Sequence, residues 1–436
     1  MNAAEWLVEG TGPLAGEISV NGDKSVSHRA ALIGAVCDGP VRVRGFGASA
    51  DTLATVAAVQ ALGARVEQPS PTELVVHGVG LRGLEEPPGV LDVKNSGTLL
   101  RLLPGLLAGQ PEGSYTLDGD ASIRRRPVDR IALPLQRMGA VITSTDGCAP
   151  ITVEGGHPLA GITYELPVAS AQVKSCLLLA GLLAEGETTV VEPLATRDHT
   201  ERMLRAAGVR VQRHPGAVTV RPATGLRLQE IEVPGDISSA APFVVAATLL
   251  PESLLIVRNV GVNPGRSGLL TVLERMGARI GLVNRRVTAA GEPVADLEVR
   301  HAELVATEIE PDIVPSLVDE LPLVALAASC ARGRTRVRGA EELRVKESDR
   351  IETTREALFN CGAHVEATKD GWRIRGVPAR VRGGTVHSRG DHRIAMLGAV
   401  AGLYSESGVR VIDAGAIDVS FPEFRGLLEA LREAPE

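Results

Sequence analysis

Apolar and polar positions recur along this chain at a long period, and that period predicts the fold better than any single segment does. Five segments place apolar residues at helical spacing, stop at a glycine and continue into a small or β-branched run. They are DTLATVAAVQALGARV with Gly63, DRIALPLQRMGAVI with Gly139, ERMLRAAGVRV with Gly208, LLTVLERMGARI with Gly277 and RIETTREALFNCGAHV with Gly362. The glycines stand 76, 69, 69 and 85 residues apart. Each segment predicts a surface helix closed by a left-handed glycine, then a strand. The last stretch, FPEFRGLLEALREAPE, carries the same helical pattern a sixth time and stops where the strand would begin.

A second series has the same period. In each member a short strand runs into a polar tip, and the tip opens an apolar helix: EISVNGDKSVSHRAALIGAV, LDVKNSGTLLRLLPGLLAG, YELPVASAQVKSCLLLAGLLA, IEVPGDISSAAPFVVAATLL, DIVPSLVDELPLVALAASC and TVHSRGDHRIAMLGAVAGL. With Ser25, Ser96, Ser170, Ser238, Ser316 and Asp391 as markers, the steps are 71, 74, 68, 78 and 75 residues. The unit is therefore strand, polar tip, buried helix, strand, surface helix, strand, six times over. Any one tip is satisfied as an ordinary helix N-cap, since serine and aspartate are preferred there. The set asks for more, because the tips also carry Lys24, Arg29, Arg101, Gln172, Lys174, Asp319, His392 and Arg393.

A helix N-terminus offers unpaired N–H groups and about half a positive charge, so cations placed on several of them make a site for more than one anionic group. If the six units form two globes of three, the tips of each face a shared cleft, and the ligand is small, multiply anionic and phosphate-bearing. Asp319, in VDELPLVALAA, is a plain helix-start residue or, in a cationic cleft, a general base. In EELRVKESDRIE, Lys346 and Arg350 are i, i+4 neighbours if the stretch is helical; the plain reading is a surface ion-pair helix. Arg124–Arg125–Arg126 form a basic triplet in a loop, which also reads as solvated charge.

Composition narrows the classes. A chain of 436 residues exceeds one ordinary core, so two domains are expected. Aromatics are only 2%, leaving Leu, Val and Ala to fill the cores and little material for a base-stacking surface. The net charge of −7 gives no global field for nucleic acid or an acidic membrane, so neither is expected as a partner. Five scattered cysteines without C-x-x-C spacing, and an N-terminus without a signal-peptide pattern, suggest a reducing, cytoplasmic setting. The longest apolar runs are too short to span a bilayer. The histidines lack ligand spacing, and no GxGxxG, P-loop or GxSxG motif is found, so neither metal nor organic cofactor is expected.

The strings NGDKSVSHR, NSGTLLRLLPG, RRPVDRI, ASAQVKS, TRDHTERML, RVKESDR and GDHRIAM, in this order on a sixfold repeat, resemble the 3-phosphoshikimate 1-carboxyvinyltransferase (EPSP synthase) family of enolpyruvyl transferases. The resemblance covers nearly the whole chain. It implies an α/β fold of two similar globular domains, each of three βαβαββ-like repeats. Residues 22–235 would form one domain, and 1–21 with 236–436 the other, with the active site in the cleft between them. It implies transfer of the enolpyruvyl group of phosphoenolpyruvate to the 5-hydroxyl of shikimate 3-phosphate, with release of phosphate, by a monomer in the shikimate pathway. By matched position, Lys24 touches both substrates and assists the leaving phosphate. Ser25, Arg29, Ser170, Ala171, Gln172, Arg197 and Lys346 resemble shikimate-phosphate ligands. Gly97, Arg126, Arg350 and Arg393, with Gln172, resemble the phosphoenolpyruvate clamp. Asp319 matches the proton acceptor at the 5-hydroxyl, and Glu347 the proton donor and acceptor at the methylene carbon.

Two positions depart from the pattern. Val419 precedes SFP where some members have lysine, and Ala171 stands where others have a second serine. Gly97 is the unobstructed form, which implies a pocket sterically open to the inhibitor glyphosate. The sister family, UDP-N-acetylglucosamine 1-carboxyvinyltransferase, relies on a mobile-loop cysteine near residues 112–126; EGSYTLDGDASIRRR has none. A repeat-built binding protein without chemistry would need caps but no acid and base among the cations.

Overall fold

A computed structural model describes residues 5–433 of the chain. The chain divides into two compact units: one made of Gly22–Pro234 with Val287–Glu292, the other of the residues up to Asn21, Gly235–Arg286 and those from Pro293 onward. Two details differ from the sequence expectation. Gly235 goes with the second unit, because its N–H and carbonyl bridge to Asn259 and Gly261 there. Residues 287–292 go with the first, because Glu292 pairs with His199 at 2.9 Å and the carbonyl of Gly291 accepts from Arg202 at 2.8 Å.

The first unit holds helices α1 (Lys24–Ala35), α2 (Ala50–Ala61), α3 (Gly97–Leu107), α4 (Asp129–Arg137), α5 (Ala171–Gly181) and α6 (His199–Ala206). It has three four-stranded sheets of one design. One of them runs Leu91–Asp92, Ser114–Asp118, Cys148–Glu154, Val141–Thr145, with the first pair parallel around α3 and the rest antiparallel. The sheet around α5 repeats this with Thr163–Glu165, Thr188–Val191, Ala217–Val220 and Val211–His214. Each unit of the repeat thus ends in a two-strand hairpin, one strand more than the chain's pattern alone had predicted.

The second unit holds α7 (Ile237–Leu249), α8 (Gly268–Arg275), α9 (Leu321–Ser329), α10 (Arg350–Asn360), α11 (His392–Leu403) and α12 (Phe424–Glu433). The two units exchange a strand. Ala15–Ser19, which precedes α1, pairs in parallel with Leu254–Arg258, while Glu230–Glu232, which precedes α7, pairs with Arg42–Arg44. The sixth sheet has three strands, because α12 is not followed by a described hairpin. Trp6–Val8 from the other end of the chain takes the antiparallel place beside Val409–Val411. Residues 434–436 of the expected sixth surface helix lie outside the described residues.

The five helix-closing glycines all adopt positive φ, from 88° at Gly362 to 104° at Gly139, the conformation a C′ glycine supplies without strain. Each unit has its own apolar core of Leu, Val and Ala. The exception is a knot of aromatics in the second unit, where Phe243, Phe421, Phe424 and Trp6 meet edge-on or tilted. In the first unit, α3 and α5 approach closely at Gly105, where a Cβ would stand 2.2 Å from the carbonyl oxygen of Cys176. That approach sets the N-termini of the two helices side by side.

Candidate active site

The polar tips become helix N-termini, but the caps are not always the expected residues. Ser96, Ser170 and Asp391 accept from the backbone N–H of Leu99, Val173 and Arg393, capping α3, α5 and α11. At α1 and α7 the caps are Asp23 and Asp236, two residues before the expected serines. Ser316 caps nothing. Its hydroxyl donates to the carbonyl of Ile313 in a 3₁₀ turn, and α9 starts five residues later.

In the first unit the capped termini leave Lys24 and Ser25, Gly97, and Ala171 and Gln172 in the first turns of α1, α3 and α5. Lys24 forms an ion pair with Asp51 of α2. Gln172 bridges α5 to α3: its amide oxygen accepts from Arg101 at 2.8 Å and its nitrogen donates to Thr98 at 3.1 Å. Arg126 donates to Asn95 at 3.0 Å and Ser122 at 3.3 Å. A Cβ on Gly97 would stand 3.0 Å from Nη1 of both Arg101 and Arg126, so the two guanidiniums close around that glycine.

Arg29, one turn into α1, is buried. Its Nε donates to Thr200 at 2.7 Å, Nη2 to Ser175 at 2.8 Å and Nη1 to the carbonyl of Ser25 at 2.9 Å. Burial brings its pKa down to about 10, and the nearby cation of Arg197 pushes the same way against the carboxylate of Glu201. Arg197 itself is half-buried in the loop leading to α6. His28 is a packing residue, bonded to Thr55 at 2.6 Å and held well below the usual imidazole range by burial and by Lys24 and Arg29. Lys174, expected at a tip, is instead fully buried between Glu192 and Glu201 at 3.0 and 2.8 Å. At one turn into α5, its side chain faces inward.

In the second unit the buried guanidinium of Arg350 gathers three carboxylates. Nε meets Asp391 at 2.8 Å, Nη1 meets Asp319 at 3.3 Å and Nη2 meets Glu347 at 2.6 Å. Burial works against its charge, yet Glu347, Asp391 and Asp319 together raise its pKa above the ordinary arginine value. Arg393 donates to the carbonyl of Asp319 at 3.2 Å and to Glu320 and Ser238 at 3.3 Å each. His392 is held down to about 3, by burial first and then by Arg393 and Arg350, so it is neutral at physiological pH. The expected Lys346–Arg350 pairing is not formed. Residues 341–345 are a 3₁₀ turn, Lys346 is extended and α10 begins only at Arg350. Lys346 pairs with Glu342 at 3.4 Å instead.

Sequence reasoning missed the residues that hold these side chains. Asp51, Thr200 and Ser175 brace Lys24 and Arg29, and Arg266 reaches Glu320 at 3.0 Å from a loop without any repeat marker. Thr200 lay in a quoted string, TRDHTERML, where an i, i+4 count from the motif arginine could not have picked it out. Among the described residues no group of three or more His, Cys, Asp or Glu is placed to hold a metal ion, and no helix is long and apolar enough to cross a membrane. Burial pushes the thiols of Cys37, Cys176, Cys330 and Cys361 up to about 12, far from the reactive range.

The family model described as EPSP synthase (3-phosphoshikimate 1-carboxyvinyltransferase) matches residues 8–428. The chain belongs to the EPSP synthase family. A 3-phosphoshikimate 1-carboxyvinyltransferase of Desulforudis audaxviator is 52% identical over 421 residues, covering 96% of this chain and 97% of the relative. The solved structure of EPSP synthase from Acinetobacter baumannii superposes with a TM-score of 0.89 at 42% identity, covering 98% of both chains. The enolpyruvyl transferase NikO of Streptomyces tendae, at 18% identity and a TM-score of 0.77 over 98% of this chain and 97% of its own, shares the fold. The EPSP synthase relatives thus carry the name of the shikimate acceptor rather than that of the sugar-nucleotide sister family. As an EPSP synthase family member, the chain places Val419, where some members have lysine, on an exposed 3₁₀ turn.

Proposed function

We propose that this chain transfers the enolpyruvyl group of phosphoenolpyruvate to the 5-hydroxyl of shikimate 3-phosphate, and that both sets of residues act on this one substrate pair. The observation that carries the reading is the second unit's Asp319–Arg350–Glu347 arrangement, two partly exposed carboxylates on one buried guanidinium. Family membership supplies the substrates. Two carboxylates, two phosphates and their mutual repulsion demand fixed cations, and guanidinium forks fit planar and tetrahedral oxyanions.

In this reading Asp319 removes the 5-hydroxyl proton as the oxygen attacks C2 of phosphoenolpyruvate. A proton passes to C3, from Glu347, and gives a tetrahedral adduct carrying a methyl group. Glu347 then takes a proton back from that methyl, the C–O bond to phosphate breaks, and Lys24 stabilises the departing phosphate. No atoms enter from water. Lys24, Ser25, Arg29, Ser170, Ala171, Gln172, Arg197 and Lys346 hold shikimate 3-phosphate; Lys24, Gly97, Arg126, Gln172, Arg350 and Arg393 hold phosphoenolpyruvate. We place the protein in the cytoplasm as a monomer acting in aromatic amino acid biosynthesis.

The direct test is phosphate release from phosphoenolpyruvate with shikimate 3-phosphate or UDP-N-acetylglucosamine as acceptor. Release with the shikimate ester alone is expected. Release with the sugar nucleotide would transfer the chain to the sister chemistry, and binding without release would overturn the mechanism.

Two further outcomes follow from the first unit. Gly97→Ala puts a methyl against the ends of two flexible arginines, which must give by a few tenths of an ångström. The KM for phosphoenolpyruvate is expected to rise roughly threefold to tenfold with thermal stability unchanged, and an unchanged KM would remove Gly97 from the site. Arg29 loses its charge above about pH 10, so the KM for shikimate 3-phosphate should climb above that pH. A flat profile through pH 10 would mean that Arg29 does not bind the ester.

A further inference from the structure

Glu320 precedes α9 and occupies its N-cap position, yet its carboxylate makes no capping bond. It is fully buried, and all its described contacts are to groups from other elements. Nη1 of Arg266 donates to both oxygens at 3.0 Å, Ser238 donates its hydroxyl to one, and Nη1 of Arg393 reaches that same oxygen at 3.3 Å. Arg266 comes from the loop between strand Leu254–Gly261 and α8 and is itself buried. Its Nη2 bonds Ser238, and the guanidinium lies 3.6 Å from Asp236 and 3.9 Å from Asp319. One buried carboxylate is thus shared by two guanidiniums, one sealed inside and one, Arg393, partly open.

We propose that Arg266 is a positioning residue for phosphoenolpyruvate. It neutralises Glu320, so that the carboxylate can hold Arg393 in place without consuming the charge Arg393 offers to the substrate. The inference rests on the reading of Arg393 as a phosphoenolpyruvate ligand. The physical logic is stoichiometric. Without Arg266, Glu320 has only Arg393 as a cationic partner, and burial makes that pairing strong. Arg393 would then be drawn into a one-to-one ion pair and meet an incoming anion with little net charge. With Arg266 present, the shared site carries one net positive charge, and the partly open guanidinium is where an anion can reach it. Ser238, bonded to Glu320 and to both arginines, fixes the spacing among the three groups.

The test is steady-state kinetics on the full chain for Arg266→Gln, Arg266→Lys, the double variant Arg266→Gln with Glu320→Gln, and Arg393→Gln. Arg266→Gln is expected to raise the KM for phosphoenolpyruvate about tenfold while leaving the KM for shikimate 3-phosphate within about twofold. Arg266→Lys should regain part of the loss, and the double variant, which leaves no unpaired charge, most of it. A double variant as impaired as Arg266→Gln would mean that the arginine matters through packing, and the proposal would fall. If Arg266→Gln does not fold, the double variant alone decides: near-normal KM supports the charge argument and a tenfold rise refutes it. Arg393→Gln separates the two levels. An unchanged KM there overturns the reading of Arg393, whereas a raised KM beside a normal Arg266→Gln overturns only the role given to Arg266.

Discussion

Asp319→Asn is expected to lower kcat by about 10²–10⁴, the range a positioned general base contributes, while the KM values change far less. Asparagine keeps the shape and one hydrogen bond to Arg350 but cannot accept the hydroxyl proton. The carboxylate now sits 3.3 Å from Arg350 and 3.9 Å from Arg266, on the residue before the N-cap of α9. Its neighbours are fixed by burial, so the variant should fold and melt like the parent. Circular dichroism and a thermal melt check that first. Initial rates of phosphate release at saturating substrates then give kcat. A kcat within a few-fold of the parent would remove Asp319 from the proton transfer and leave Glu347, 2.6 Å from the same guanidinium, as the alternative base.

The repeat was legible because it rests on local rules. A glycine that must take positive φ ends each surface helix, and all five predicted positions do so. The polar tips were legible for the same reason, and the side chains at Arg29, Arg126, Gln172, Arg350 and Arg393 do gather around them. What escaped was everything set by distant pairing. The exchange of Ala15–Ser19 for Glu230–Glu232 joins strands more than two hundred residues away from their partners, and no local pattern distinguishes it from a simple strand–helix–strand unit. Asp23 displaced Ser25 as a cap because both are good caps and the choice depends on where the first helical turn closes. Arg266 was invisible because a lone loop arginine has no periodic signature. Lys174 was misread because a lysine one turn into a helix faces solvent or core according to what lies behind it, and here two carboxylates do.

That buried lysine gives the largest stability effect we expect. Lys174→Met keeps the volume and removes the cation, leaving Glu192 and Glu201 facing each other in a site where all three side chains are at most 6% exposed. Breaking a buried ion cluster by deleting one partner costs about 3–5 kcal/mol. For a unit of this size that lowers its Tm by roughly 10 °C. The deficit should narrow as the pH falls, because protonating a carboxylate left without its cation removes the buried charge from the folded state. The parent, with its cluster intact, should show no such recovery over the same pH range. Function should suffer unevenly. Glu192 accepts from the N–H of Thr196 at 3.1 Å and so fixes the loop before Arg197, and Glu201 lies next to Thr200, which holds Arg29 at 2.7 Å. The KM for shikimate 3-phosphate should therefore rise while the KM for phosphoenolpyruvate stays close to the parent's. Calorimetric melts from pH 5 to pH 8, with both KM values at each pH, provide the measurement. A Tm within about 2 °C of the parent's would mean that the lysine offsets only its own desolvation. A pH-independent deficit would mean that the loss comes from packing rather than from charge.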